Sequence, residues 1–285
     1  MKQLKPILFF LANFAMLSFS DKAVKNEYYR TEKFKGKVKQ ITIISYGRPQ
    51  KKGEGTNDTL IWLDTEKIKL NKAGKEIERS AYNRKDSLLY TDTVNYDERG
   101  SRKERVFRNK EGALTKKIAY RYDDNGRKIE EHHNKPDGSL EHNVTYKYDP
   151  KGNCTEWASF SPRGVLVGKQ SFYYDNKNNN TQEVWWFLAD SSRNQKLVYT
   201  YNSKGQEVER KKYTLTDSLK YKDVSLYNTK GNLIKMERFD ANNNIVPGFS
   251  NTYQYEYDKK GNWIKKEVQA NGKTGYLYLR KIEYY

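Results

Sequence analysis

The sequence predicts an all-β protein in which tandem β-hairpins form one long curled or spiral antiparallel sheet. Three observations support this fold class. A turn signature recurs at near-constant spacing, a second turn lies midway through each repeat, and the strand before each signature alternates apolar and polar residues. A period of about 20–50 residues is typical of repeat architectures, and two turns per repeat make one hairpin per repeat.

The turn signature is clearest in YKYDPKGN, residues 146–153. It has two aromatic residues one apart, a short polar residue, and a glycine four residues after the second aromatic. We expect the Asp or Asn to accept a hydrogen bond from a backbone N–H two residues on, and the glycine to supply a positive φ. The copies end at Gly74, Gly100, Gly126, Gly152, Asn178, Gly205, Gly231 and Gly261, with spacings of 26, 26, 26, 26, 27, 26 and 30 residues.

The strand that enters each signature has a period of two. In residues 114–122, Leu114, Ile118 and Tyr120 alternate with polar residues such as Thr115 and Arg121, which is typical of a half-buried strand. The chain has 24 Tyr and 11 Phe but is only 35% hydrophobic, so we expect a core of aromatic rings. The second turns of the repeats are NKEG 109–112, KPDG 135–138, SPRG 161–164, TLTD 214–217 and ANNN 241–244.

The return strand of each hairpin is more charged and carries a column of glutamates. We expect a cross-strand charge ladder with residues such as Arg121 and Lys147, rather than a cation site. One hairpin is too small to be stable alone, so neighbouring hairpins must share a buried face. The column consists of Glu78, Glu104, Glu130, Glu156 and Glu209.

The string YxYDxxGN, the mid-repeat glycine and the aromatic run before each signature resemble the YD repeats of Rhs proteins, teneurins and related toxin shells. The resemblance covers most of residues 66–285. It implies a sheet of hairpins that spirals into a shell, which in large relatives encloses a toxic C-terminal cargo or presents a binding surface. The chain departs from those relatives because it is short, has no visible autoproteolytic segment, and ends at YLRKIEYY.

The sequence divides into three predicted segments. Residues 1–20 are expected to be a cleaved secretory signal peptide, because Lys2 and Lys5 precede an apolar run and Ser18 and Ser20 fit a cleavage site. No lipoprotein cysteine follows, so we expect a secreted or periplasmic protein. Residues 21–69 are predicted to be an atypical N-terminal capping unit, with a separate small domain as the alternative. Residues 70–285 are predicted to hold about eight YD-like hairpin repeats.

Four aromatic residues are candidates for ligand binding: Trp157, Tyr173, Trp185 and Trp186. Adjacent strand residues face opposite ways, so Trp185 and Trp186 cannot both lie on one covered face. We expect one of them to be exposed beside Tyr173, where its ring suits stacking on a sugar or on a partner protein. The alternative is that neighbouring strands or loops cover both rings.

His132, His133 and His142 form a weak candidate for a zinc site, with Glu131 and Glu141 nearby. Their spacing matches no known motif, so ordinary strand residues are the favoured interpretation. Enzyme signatures such as GxSxG, HExxH and a glycine-rich phosphate loop are missing from the sequence, and Cys154 is the sole cysteine. We therefore expect no enzymatic activity and no cofactor.

The net charge of +18 suggests acidic partners, although charged strand faces also prevent edge pairing. The first functional hypothesis is a secreted, non-enzymatic protein that binds an acidic glycan or a surface protein, with no nucleic-acid partner. A second is a shell or accessory component of an Rhs-type toxin or contact-dependent competition system. A third is an outer-membrane barrel. Lys116 and His142 interrupt the apolar column and the mean hydropathy is −1.06, so no membrane insertion is expected.

Overall fold

The computed structural model describes residues 34–48, 60–270 and 272–285. The predicted signal peptide at 1–20 and most of the loop at 47–58 lie outside the described residues. The described chain forms β-strands and one 3-10 helix, Ser191–Arg193. No helix in these ranges has the length and apolar character of a membrane span. The strands are β1 Val38–Gly47, β2 Ile61–Leu70, β3 Glu76–Tyr82, β4 Leu88–Tyr96, β5 Arg102–Asn109, β6 Leu114–Tyr122, β7 Lys128–Asn134, β8 Leu140–Tyr148, β9 Cys154–Phe160, β10 Leu166–Tyr174, β11 Asn180–Phe187, β12 Gln195–Tyr201, β13 Glu207–Tyr213, β14 Leu219–Tyr227, β15 Leu233–Asp240, β16 Asn251–Tyr257, β17 Trp263–Ala270 and β18 Lys273–Tyr284.

The strands form one closed antiparallel barrel. Each strand pairs with the next along the chain, and β1 also pairs with β18, from Val38 opposite Tyr284 to Gly47 opposite Tyr276. The expected curled or spiral open sheet is therefore wrong. The alternation of residues and the turn signals are the same in an open sheet and in a barrel, whereas closure depends on the register between strands at opposite ends of the described chain.

Closure also contradicts the expectation of no membrane insertion. A barrel has no unpaired strand edge, and closed barrels, like helices, can cross a bilayer with their backbone groups satisfied. The expectation relied on Lys116 and His142 interrupting an apolar column. That column faces the inside of the barrel, since Lys116 lies opposite Phe107 and His142 lies opposite His133 in the sheet register. Polar residues in this column point into the barrel and do not lie on its outer surface.

The inward face can be followed around the barrel from strand to strand. Ile43 is 2% exposed, and its partner across the β1–β18 seam is Arg280. The main apolar cluster lies beside this seam and consists of Val38, Ile41, Ile43, Ile68, Leu70 and Trp263. Farther round, β7 and β13 have only partly buried residues. This agrees with the geometry of eighteen strands, which make a barrel too wide for side chains to fill.

The hairpin turns confirm the predicted turn chemistry. In the turn after β10, the Asp175 carboxylate accepts from the N–H of Lys177, two residues on, at 2.9 Å, as predicted. In the turn after β4, the N–H of Gly100 donates to the carbonyl of Asp97 at 2.9 Å, and the Asp97 carboxylate accepts from the N–H of Ser101, four residues on, at 2.7 Å. Gly100 has a φ of 76°, and a Cβ there would collide with Lys75 Nζ. Asn178 adopts the same conformation with a φ of 62°. The register shifts by one residue next to these turns, which marks a β-bulge.

The second tyrosine of most signatures ties its hairpin to the preceding one. Its hydroxyl donates to a backbone carbonyl at the start of the previous return strand. The sequence predicts that these rings form the core, but they are only partly buried, and the main cluster is mostly aliphatic. The hydroxyl contact explains why tyrosine rather than phenylalanine recurs. The bonds are Tyr96 to Glu76 (2.7 Å), Tyr122 to Arg102 (3.0 Å), Tyr148 to Lys128 (2.6 Å), Tyr174 to Cys154 (2.7 Å), Tyr201 to Asn180 (2.7 Å) and Tyr227 to Glu207 (2.8 Å).

The outer face confirms the predicted charge ladder. Glutamates of the return strands pair with basic residues of the neighbouring strand, as in Lys147–Glu156 at 2.7 Å and Arg121–Glu130 at 2.9 Å. Lys69–Glu78 at 2.8 Å continues the pattern on β2 and β3. The ladder therefore places paired charges on the outer surface of these hairpins.

Candidate functional site

The structure places Trp185 and Trp186 on opposite faces of β11, as the sequence predicts. Trp185 faces inward and is 9% exposed, whereas Trp186 faces outward and is 44% exposed. Tyr173 also faces outward and is half exposed. Trp157 faces inward between Tyr146 and Gln170 of the flanking strands. The four candidate residues therefore do not form one surface.

Trp186 belongs to an apolar patch on the outer surface, which we call the outer β10–β11 patch. It comprises Val165, Val167, Trp186 and Leu188, all exposed. Leu188 lies beside Val167, because its N–H donates to the Val167 carbonyl at 3.1 Å. The patch has a cation at its edge, since Lys169 lies directly opposite Trp186 in the register.

Tyr173 is not part of this patch. It follows Lys169 by four residues on β10, which corresponds to about 13 Å along a strand. Its partner in the register is Gln182, not Trp186. The sequence-based suggestion that the exposed tryptophan lies beside Tyr173 is therefore wrong, because cross-strand register rather than chain proximity decides which side chains meet.

The inward tryptophan is held by a polar network. Gln170 lies between Trp157 and Trp185 in the register. Glu183 accepts hydrogen bonds from Gln170 Nε2 at 2.7 Å and from Trp185 Nε1 at 3.2 Å. Burial raises the pKa of Glu183 above its ordinary value, against the effect of these donors. Trp185 is thus fixed as part of the inner wall.

The three histidines are also divided between the faces. His132 faces outward, with Nε2 2.9 Å from Glu130. His133 and His142 face inward, and their rings stack with centroids 4.1 Å apart. Across the described residues, no group of three or more His, Cys, Asp or Glu side chains is placed to hold a metal. The weak zinc candidate is therefore not assembled, because neighbouring strand residues point to opposite sides of the sheet.

The inward histidines stand in a charged setting. His133 Nε2 lies 2.9 Å from Glu131, and the hydroxyl of Tyr146 donates to Glu131 at 2.9 Å. Burial opposes ionisation of Glu131, but the contacts with His133 and Lys128 outweigh it and lower its pKa to about 2. Burial, together with the charge of His133, lowers the pKa of His142 to about 4. His142 is therefore neutral near pH 7.

Buried arginine–aspartate clusters are a feature that the sequence analysis missed. Arg105 Nη2 lies 2.7 Å from Asp92, and both side chains are almost fully buried. In a second cluster, on β14 and β15, the Asp223 carboxylate accepts a hydrogen bond from Arg238 Nε at 2.7 Å. One sequence feature could have indicated these clusters: an aspartate is the fifth residue of two similar strands, LLYTDTV at 88–94 and LKYKDVS at 219–225. These pairs balance charge inside the barrel.

No protein-family model matches the sequence, and comparison with curated protein sequences finds no similar one. Among solved structures, a porin-like protein from Bacteroides uniformis is 12% identical with a TM-score of 0.48, over 88% of this chain and 99% of that chain. A porin-like protein from Bacteroides vulgatus is 11% identical with a TM-score of 0.31, over 87% and 98%. The Tc holotoxin pore of Photorhabdus luminescens is 13% identical with a TM-score of 0.40, over 84% of this chain and 15% of that chain.

Proposed function

We propose that this protein is an exported, non-enzymatic β-barrel that binds an acidic glycan through the outer β10–β11 patch. The observation that supports the proposal best is the exposed ring of Trp186 with Lys169 directly opposite it. A relationship to YD-repeat proteins is part of the proposal, supported by the recurring turn signature.

The patch combines two kinds of contact that an acidic sugar needs. An exposed indole offers a flat apolar surface for the C–H face of a sugar ring, and tryptophan is enriched at binding hot spots for this reason. The ammonium group of Lys169 lies 3.6 Å from Glu156 on the outer face. Because such an exposed ion pair contributes little, the ammonium group can also meet a carboxylate or sulfate on the same sugar. Val167 and Leu188 lie on the same outer face as Trp186 and extend the exposed apolar surface around the indole. The net charge of +18 raises the association rate with a polyanion.

A glycan array with acidic and neutral members tests this function. We expect the wild-type protein to bind acidic glycans, Trp186→Ala to lose that binding, and Lys169→Gln to lose the preference for acidic over neutral members. Leu226→Ala is a matched control, since Leu226 is similarly exposed on the outer face of a different strand, β14. Full binding by Trp186→Ala, with an unchanged thermal unfolding midpoint, would contradict the proposal.

A further inference from the structure

A cavity of about 460 Å³ lies inside the barrel, next to the β1–β18 seam and the first two signature turns. This volume falls within the range of about 300–1,000 Å³ that is typical of small-molecule sites. The cavity is separate from the outer β10–β11 patch. Its lining includes Ile41, Ile43 and Ile68 of β1 and β2 on one side, and Lys75, Glu76 and Arg102 on the other.

The apolar side of the cavity belongs to the main apolar cluster of the protein. Ile41 and Ile43 are 1% and 2% exposed, and Ile68 is 5% exposed. These side chains are shielded from bulk water, yet they border space that no protein atom fills. This part of the lining suits an apolar group, because filling the space gives the isoleucine side chains contacts that they lack.

The charged side of the cavity has more cations than anions. Its carboxylate, Glu76, is already engaged by Arg79 Nε at 3.2 Å and by Arg105 Nη2 at 3.3 Å. Lys75 Nζ donates to the backbone carbonyl of Gly100 at 2.6 Å. Over the described ranges of the chain, no carboxylate lies within 4.0 Å of the side-chain nitrogens of Lys75 or Arg102. The positive charge at this end of the cavity is thus not neutralised locally.

We propose that this cavity binds an amphipathic organic anion, whose apolar body lies against the isoleucine side and whose acidic group meets Lys75 and Arg102. Charge-assisted hydrogen bonds from arginine and lysine to a carboxylate are stronger than neutral ones, particularly where water is partly excluded. An uncharged amphiphile gains only the apolar contact. A cationic one meets two like charges.

Three ligands with the same twelve-carbon chain test the proposal: dodecanoate, dodecanol and dodecyltrimethylammonium. Binding to the full chain is measured by isothermal titration calorimetry below the concentration at which micelles form. We expect dodecanoate to bind about tenfold more tightly than dodecanol, because it adds charge-assisted contacts, and dodecyltrimethylammonium to bind most weakly. Equal affinities for the three, or a preference for the cationic one, would overturn the proposal.

Matched variants locate the site. Arg102→Gln and Lys75→Gln are expected to weaken dodecanoate about tenfold while leaving dodecanol unchanged. Their exposed neighbours provide the controls, Lys103→Gln and Lys72→Gln, which are expected to bind like the wild type. Equal losses in the variants and the controls would overturn the proposal.

A third substitution distinguishes this site from the glycan patch. Trp186→Ala is expected to leave dodecanoate binding unchanged, since Trp186 faces the outside of the barrel. Loss of dodecanoate binding in Trp186→Ala would place the anion on the outer surface and overturn the cavity assignment. Failure of the glycan experiment leaves the cavity proposal unaffected, because no lining residue is shared.

Discussion

The hydroxyl group of Tyr148 donates a hydrogen bond to the backbone carbonyl of Lys128, 2.6 Å away and 20 residues earlier in the chain. The same contact recurs in neighbouring repeats, so the signature tyrosine joins each hairpin to the one before it. This contact uses a polar atom of a residue whose ring otherwise packs against the inner wall. The register of each hairpin against the preceding one is therefore fixed by the tyrosine hydroxyl as well as by the hydrogen bonds between the strands.

Tyr148→Phe is expected to lower the free energy of unfolding by about 1 kcal/mol, because a partly buried carbonyl loses its donor. Tyr173→Phe is the control, since Tyr173 is half exposed on the outer face of the next repeat. Urea unfolding followed by tryptophan fluorescence measures both. Equal effects of the two substitutions would show that the hydroxyl contact contributes nothing to stability.

Gly152→Ala is expected to destabilise the barrel by about 1–2 kcal/mol, the cost of the left-handed conformation for a residue with a Cβ. Gly152 has a φ of 87°, and no atom lies near the position of an added Cβ, so the effect is purely conformational. Lys151→Ala in the same turn is the control, with an expected change near zero. A Gly152→Ala protein as stable as the wild type would contradict this account of the signature glycine.

Asp92→Asn is expected to cost about 1.5–3 kcal/mol, because it removes the nearer of the two carboxylates that pair with buried Arg105 and leaves Glu76 at 3.3 Å. Glu104→Gln breaks an outer-face pair with Lys117, at 2.5 Å, and is expected to cost less than about 1 kcal/mol. Chemical unfolding of both variants provides the comparison. A smaller loss for Asp92→Asn than for Glu104→Gln would contradict the inward position of the Asp92–Arg105 pair.

Stability is expected to fall as the pH drops from about 6.5 to about 4, because of His142. The pKa of this histidine is lowered from 6.5 to about 4 by burial and by the charges of His133 and Lys116. Between these values the unfolded chain binds a proton that the folded chain does not, so acid favours unfolding. Below about pH 4 both states are protonated and this contribution is constant.

Thermal unfolding midpoints at several pH values measure how steeply stability falls with decreasing pH. His142→Gln is expected to flatten the change between pH 6.5 and 4, whereas His132→Gln, on the outer face, is expected to retain it. Glu131 acts in a lower window, since its depressed pKa of about 2 means that its contribution is lost between about pH 4.5 and 2. An unchanged slope in His142→Gln would contradict the inward, desolvated position of this ring.

Local features of the fold were predictable from the sequence because each has a local cause. The hydrogen bond from Lys177 N–H to the Asp175 carboxylate, the positive φ of Asn178, and the ion pair of Lys147 with Glu156 each involve residues of a single hairpin. The opposite orientations of Trp185 and Trp186 follow from strand geometry alone. These predictions needed no knowledge of how the hairpins are arranged.

Features that join distant segments were not predictable. Pairing of Ile44 with Leu279 closes the barrel, but the residue pattern of both strands suits an open sheet equally well. The positions of Lys116 and His142 were misinterpreted, because polar residues on the inward face of a wide barrel were taken for interruptions of the apolar outer column that a membrane barrel needs. The cavity beside Arg102 depends on closure, since its lining comes from both ends of the described chain.

Closure of the barrel is tested most directly by a disulfide across the β1–β18 seam. Ile44 and Leu279 are opposite each other on these strands, and directly opposed antiparallel residues have Cα atoms about 4.5–5.5 Å apart, within the range of a disulfide. In a Cys154→Ser background, Ile44→Cys with Leu279→Cys is oxidised and examined by non-reducing electrophoresis and mass spectrometry. Ile44→Cys with Val184→Cys, on β11, is the control and is expected to remain reduced within the monomer. The closed barrel predicts an intramolecular disulfide in nearly all Ile44→Cys/Leu279→Cys monomers; its absence would contradict closure, because the two edges of a flat eighteen-stranded sheet would lie about 80 Å apart.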